Sequence, residues 1–69
     1  MPTYPKIQLT KQEIRILTFV AEGLTTPLIA ARMCLSSETI KWYRRRIMQK
    51  FSASTSAEVV RKAIEENII

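Results

Sequence analysis

The sequence predicts an all-α fold of four short helices. Apolar residues recur every three or four positions in four successive segments, and a polar N-cap signal stands in front of each. No segment alternates with the period of two that a half-buried strand requires. The first helix is expected over about residues 11 to 22. Thr10 and Glu13 form its capping box, Ile16, Leu17, Val20 and Ala21 repeat at helical spacing, and Gly23 ends it. Thr25 is the expected cap of a short second helix, whose first turn accepts Pro27 because the missing amide would have no intrahelical partner there. Its expected buried face is Leu28, Ile29 and Met33, with Ala30 small enough to admit a neighbouring helix. Met33-Cys34-Leu35 reads as a tight connection, with Cys34 reduced in the apolar interior. Ser36 caps a third helix over about 37–51, with Thr39 in its first turn. The polar run Ser52-Ala53-Ser54-Thr55-Ser56 interrupts the pattern, and Thr55 with Glu58 is the expected second capping box, opening a last helix through about Glu66. Residues 1–8, with Pro2 and Pro5, read as an extended N-terminal arm before a domain spanning 9–69.

Size and composition exclude several classes. A chain of 69 residues is one domain at most, and one this short buries only about 60% of its unfolded surface, so a partner subunit would add useful stability. One Cys and no His rule out an intrachain disulfide and a Cys/His metal site, and no cofactor or small-molecule ligand is expected. Without His, and without paired carboxylates away from solvated helix faces, no acid, base or nucleophile constellation exists, so an enzyme is not expected. No apolar run approaches the roughly 18 residues of a membrane span, and residues 1–9 lack the apolar core of a signal peptide, which makes a cytoplasmic protein the expectation.

The charge is concentrated. Arg32, Lys41, Arg44, Arg45, Arg46 and Lys50 face only Glu38 within residues 32–50, so this stretch alone carries the chain's net charge of +5. The flanking segments nearly cancel. Such a cluster points to a polyanion, although a run of three cations is also what an ordinary solvated helix face carries.

The periodicity of the third helix separates its faces. At about 100° per residue, Ile40, Ile47 and Phe51 form one narrow apolar stripe. Glu38, Lys41, Trp42, Arg45 and Gln49 fall opposite it, while Arg46 and Lys50 lie on one flank beside Tyr43. Arg44 falls near the stripe and is expected to snorkel outward over it. Trp42 is half a turn from the core stripe, and an exposed Trp among cations needs a partner surface. In a DNA major groove, Arg and Lys donate to guanine O6 and N7, and an apolar ring packs on the thymine methyl. Duplex DNA is therefore the expected partner, with Lys41 and Arg45 toward bases and Arg46 and Lys50 toward phosphates.

These residues resemble the LuxR-type, or GerE-type, helix-turn-helix domain of bacterial transcription factors. Leu9-Thr10 with Glu13 and Ile16-Leu17, Ala21-Glu22-Gly23-Leu24-Thr25, Ile29-Ala30, Leu35-Ser36, Thr39-Ile40-Lys41 and Val59-Val60 with Ala63 stand in the family's order and spacing over about residues 9 to 69. The resemblance implies a four-helix fold and sequence-specific binding of double-stranded DNA in transcription regulation. It implies that Lys41, Trp42 and Arg45 contact bases and that Thr39, Tyr43, Arg46 and Thr26 contact backbone, to which Ser37 and Lys50 are added as neighbours of the same groove wall. It also implies a homodimer through the last helix on an inverted repeat, for which Ala57, Arg61 and Ile64 are the expected contact residues. RNA polymerase is a candidate further partner, and no membrane is. The chain departs from the family pattern at Tyr43, where His is usual, at Arg46 for Asn, at Thr26-Pro27-Leu28 for Asn-Lys-Glu, and at Ser56 for a frequent Arg.

Two other readings remain at this point. Region four of a sigma factor has a similar four-helix shape and would lack a self-associating last helix. A protein-interaction module would turn the same basic face toward an acidic polypeptide. Salt-dependent binding to duplex DNA separates the DNA readings from the last one.

Overall fold

The computed structural model describes residues 7–69. Among them are four helices and no strand: α1 Lys11–Ala21, α2 Thr26–Met33, α3 Ser37–Phe51 and α4 Ser56–Glu65. The expected N-terminal arm lies outside the described residues except for Ile7 and Gln8. Ile7 packs against the core, and the Gln8 carbonyl accepts a hydrogen bond from Lys50 Nζ at 3.1 Å.

Three of the four helices begin with the side-chain cap that the sequence implies. The Thr10 side chain accepts from the Glu13 amide at 3.2 Å, and the Glu13 carboxylate accepts from the Thr10 amide at 2.8 Å, closing the capping box. Ser36 accepts from the Thr39 amide, and Thr55 from the Glu58 amide. At α4 the reciprocal bond is displaced by one residue, because Glu58 Oε2 accepts from the Ser54 amide. Thr25 holds the cap position of α2 with extended backbone, but its side chain makes no cap bond.

All four helices end in the same way. Gly23, Cys34, Ser52 and Asn67 adopt positive φ angles of 88°, 56°, 52° and 57°. In each case the amide of that residue bonds to the carbonyl three positions back, and the next amide to the carbonyl five positions back, as in Leu24 to Phe19, Leu35 to Ala30, Ala53 to Met48 and Ile68 to Ala63. This is the Schellman motif, which satisfies two otherwise orphaned carbonyls and reverses the chain abruptly. The α2–α3 connection is consequently only Cys34–Ser36.

The core takes Ile16 and Leu17 from α1, Ile29 and Ala30 from α2, Ile40, Ile47 and Phe51 from α3, and Val59 and Ala63 from α4. α3 packs on all three other helices, so one stripe of one helix is the common wall of the fold. Truncating Ile40, which is fully enclosed, would cost about 2–5 kcal/mol through lost transfer energy and the cavity left behind.

Two expectations are corrected. Leu28 is not in the core but 55% exposed. The eight-residue α2 has a single narrow inward line, with Ile29 and Ala30 buried and Met33 partly buried, and Leu28 lies about half a turn from its centre. Cys34 is not interior either: it is exposed, because the left-handed residue of a Schellman turn is where the chain leaves the packed face.

Only Gly23 among the four left-handed positions is glycine. A side chain in that conformation costs roughly 1–2 kcal/mol, partly offset by glycine's larger loss of freedom on folding. Ser52→Gly should therefore raise the unfolding free energy by about 0.5–1 kcal/mol. Urea titration followed by circular dichroism measures this, and a lower midpoint would refute the account of the turn.

Candidate nucleic-acid interface

The candidate face is built on α3. Its N-terminus is fixed by the Schellman turn of α2 and by Ser36, whose Oγ meets Thr39 Oγ1 at 2.8 Å and the Thr39 amide at 3.1 Å. With Ile40, Ile47 and Phe51 seated in the core, helical geometry turns Glu38, Lys41, Trp42, Arg45 and Gln49 to solvent, and all five are exposed. Lys41 reaches Glu38 at 3.4 Å. Trp42 is 49% exposed despite its size. Its ring meets the Tyr43 ring at 5.0 Å with the planes at 80°, and the Arg46 guanidinium stacks 5.3 Å from its centre. Trp42, Arg45, Arg46 and Gln49 line a shallow groove along the helix.

The flank of this face is tied to α1 by Glu13. That carboxylate is only 1% exposed, lying on the apolar side of α1 beside Ile16 and Leu17. Its Oε1 accepts from Lys50 Nζ at 2.7 Å as well as from the Thr10 amide. Its Oε2 has no hydrogen-bond partner and lies 3.5 Å from Arg46 Nε. Burial pushes the Glu13 carboxyl up, yet the Lys50 ammonium and the Thr10 donors outweigh it and hold the group below the ordinary carboxylate range.

Arg44 does something the sequence did not reveal. The side chain is half-buried, and its head is not free in solvent as a snorkelling arginine's would be: Nη1 donates to Thr26 Oγ1 at 2.9 Å and Nη2 to Ser56 Oγ at 2.8 Å. One guanidinium thereby links α3 to the first residues of α2 and α4.

The expected site residues thus fall into three groups. Lys41, Trp42 and Arg45 share the exposed face, with Ser37, Thr39 and Tyr43 half-buried along the same helix. Arg46 and Lys50 are on the flank, engaged with Glu13, and Thr26 lies apart from them under Arg44. Ala57, Arg61 and Ile64 form an exposed line on α4, where Arg61 pairs with Glu65 at 2.8 Å and Ile64 is 57% exposed. Glu13, which holds the flank of this face through Lys50 and Arg46, was not among the expected site residues. The available signal was its spacing three and four residues before Ile16 and Leu17, which puts an acid on the apolar face of α1.

The sequence of this domain has counterparts among known proteins. Residues 7–63 match the family model described as bacterial regulatory proteins, luxR family. The chain belongs to the LuxR family. It is 36% identical over 61 residues to the transcriptional activator protein ExaE of Pseudomonas putida, covering 88% of this chain and 28% of that protein. It is 32% identical over 60 residues to BvgA of Bordetella pertussis, a virulence factors putative positive transcription regulator, covering 87% and 29%. The response regulator GacA of Pseudomonas protegens is 30% identical over 61 residues, covering 88% and 29%. The chain therefore spans less than a third of the length of these relatives. Family membership supports DNA-binding transcriptional regulation as the work of this domain, and no helix among the described residues is long and apolar enough to cross a membrane.

The depressed Glu13 carboxyl sets an acid limb. Its contribution is fully present above the unfolded glutamate value near pH 4.3 and is lost as pH falls through the lower folded value. Glu58, also lowered by the Ser54 amide and Lys62, adds to the same limb from the surface. Glu13→Gln should lower stability at neutral pH by roughly 1–3 kcal/mol and flatten the loss below pH 4.3. Thermal unfolding of both proteins across pH 3 to 7 checks this. An unchanged acid limb in the variant would show that Glu13 is not a source of it.

Proposed function

We propose that this domain binds double-stranded DNA sequence-specifically, with α3 in the major groove and Lys41, Trp42 and Arg45 reading bases. The observation that carries the reading is the opposition of two faces on one helix: Ile40, Ile47 and Phe51 are buried while Lys41, Trp42, Arg45 and Gln49 are exposed together. A helix held by its back to the core and offering donors at its front has the shape and chemistry of a groove reader. Backbone contacts go to Ser37, Thr39 and Tyr43, to Arg46 and Lys50 on the flank, and to Thr26 at the start of α2. Lys50, already neutralised by Glu13, contributes least. Two copies bind an inverted repeat with half-sites about one DNA turn apart, pairing α4 through Ala57, Arg61 and Ile64. An apolar Ile64 standing in the open beside Arg61 supports that pairing.

Selection of bound sequences from a random duplex pool tests the reading directly, and symmetric half-sites are the expected product. On the selected duplex Arg45→Ala should cost about 1–3 kcal/mol and relax specificity at one base pair. Equal losses on selected and random duplexes would remove Arg45 from the base readers.

Ile64→Glu should leave the isolated domain folded and abolish cooperative binding to a duplex carrying both half-sites. Sedimentation of the complexes is the measurement. A strictly one-to-one wild-type complex at saturation would refute the paired arrangement.

A further inference from the structure

The surroundings of Trp42 restrict what it can read, and this step rests on the DNA-binding reading above. One side of the indole is occupied by the Arg46 guanidinium at 5.3 Å, and Tyr43 stands across it at 80°. Arg46 is in turn drawn toward Glu13, 3.5 Å from its Nε, and that carboxylate is anchored by Lys50 and the Thr10 amide. The ring is therefore held in place by a chain of contacts running back into α1. Its exposed remainder borders the groove shared with Arg45, Arg46 and Gln49.

A helix approaches duplex DNA along the edges of the bases, so a tryptophan on its front meets base edges and not base faces. The floor of the major groove offers a single kind of apolar group to such a ring, the C5-methyl of a pyrimidine. We propose that Trp42 reads one pyrimidine C5-methyl in each half-site, with Arg46 as the residue that positions it. The same methyl is presented by thymine and by 5-methylcytosine, so cytosine methylation at that base becomes an input to binding. The competing use of the ring, donation from its N–H to a purine acceptor, is indifferent to that methyl.

The test is made on the DNA first. In the duplex obtained by random selection, each thymine is replaced in turn by deoxyuridine, which deletes the methyl and nothing else. One thymine per half-site should lose about fourfold in affinity on replacement, the equilibrium worth of burying a methyl-sized group. At that position 5-methylcytosine should bind more tightly than cytosine. Trp42→Gln should erase the difference between thymine and deoxyuridine. Arg46→Met should shrink it, and Arg46→Lys should preserve it, which a purely structural role for Arg46 would not produce. A selected site without thymine, a flat deoxyuridine scan in the wild-type protein, or a methyl effect that persists in Trp42→Gln would each overturn the proposal while leaving DNA binding intact. Failure to bind any duplex would overturn the DNA-binding reading and this one together.

Discussion

The structure depends on one buried anion. Glu13 closes the capping box of α1, receives Lys50 from the far end of α3, and faces Arg46 from the middle of it. An unpaired carboxylate in this position would carry a desolvation cost of several kcal/mol, so the pairing fixes how α3 lies against α1 more firmly than apolar packing alone, which tolerates small slips and rotations. The orientation matters because α3 is also the wall of the core and the exposed face. A rotation of α3 that freed Lys50 would also turn Ile40 and Ile47 out of the interior.

Arg44 performs a complementary task at the other side of α3. It holds hydroxyl groups from the first residues of α2 and α4, two helix starts whose amides make the surroundings electropositive. A cation there is electrostatically out of place, and the two hydroxyl acceptors are what make it tolerable.

Much of this was legible in the sequence, for physical reasons that differ by element. The faces of α3 followed from periodicity because a 15-residue helix with Ile40, Ile47 and Phe51 in line has only one way to bury them. α2 was legible as a helix but not in its faces: over eight residues nearly every position is apolar, so no contrast marked Leu28 as exposed. Cys34 and Ser52 were opaque as left-handed residues because neither is glycine or asparagine, the usual indicators. The pairings of Glu13 with Lys50 and of Arg44 with Thr26 and Ser56 join positions far apart in the chain, and no local rule connects them.

The four matching helix ends bear on how such a domain changes over time. Substitutions on the exposed side of a reading helix that alter what it recognises tend to reduce stability, and a domain of this size has little to spare. Three of its four left-handed turn residues, Cys34, Ser52 and Asn67, are not glycine. These positions form a reserve in which single replacements can offset losses incurred on α3 without touching its exposed face. Recognition can thus drift in steps while the fold beneath it stays the same.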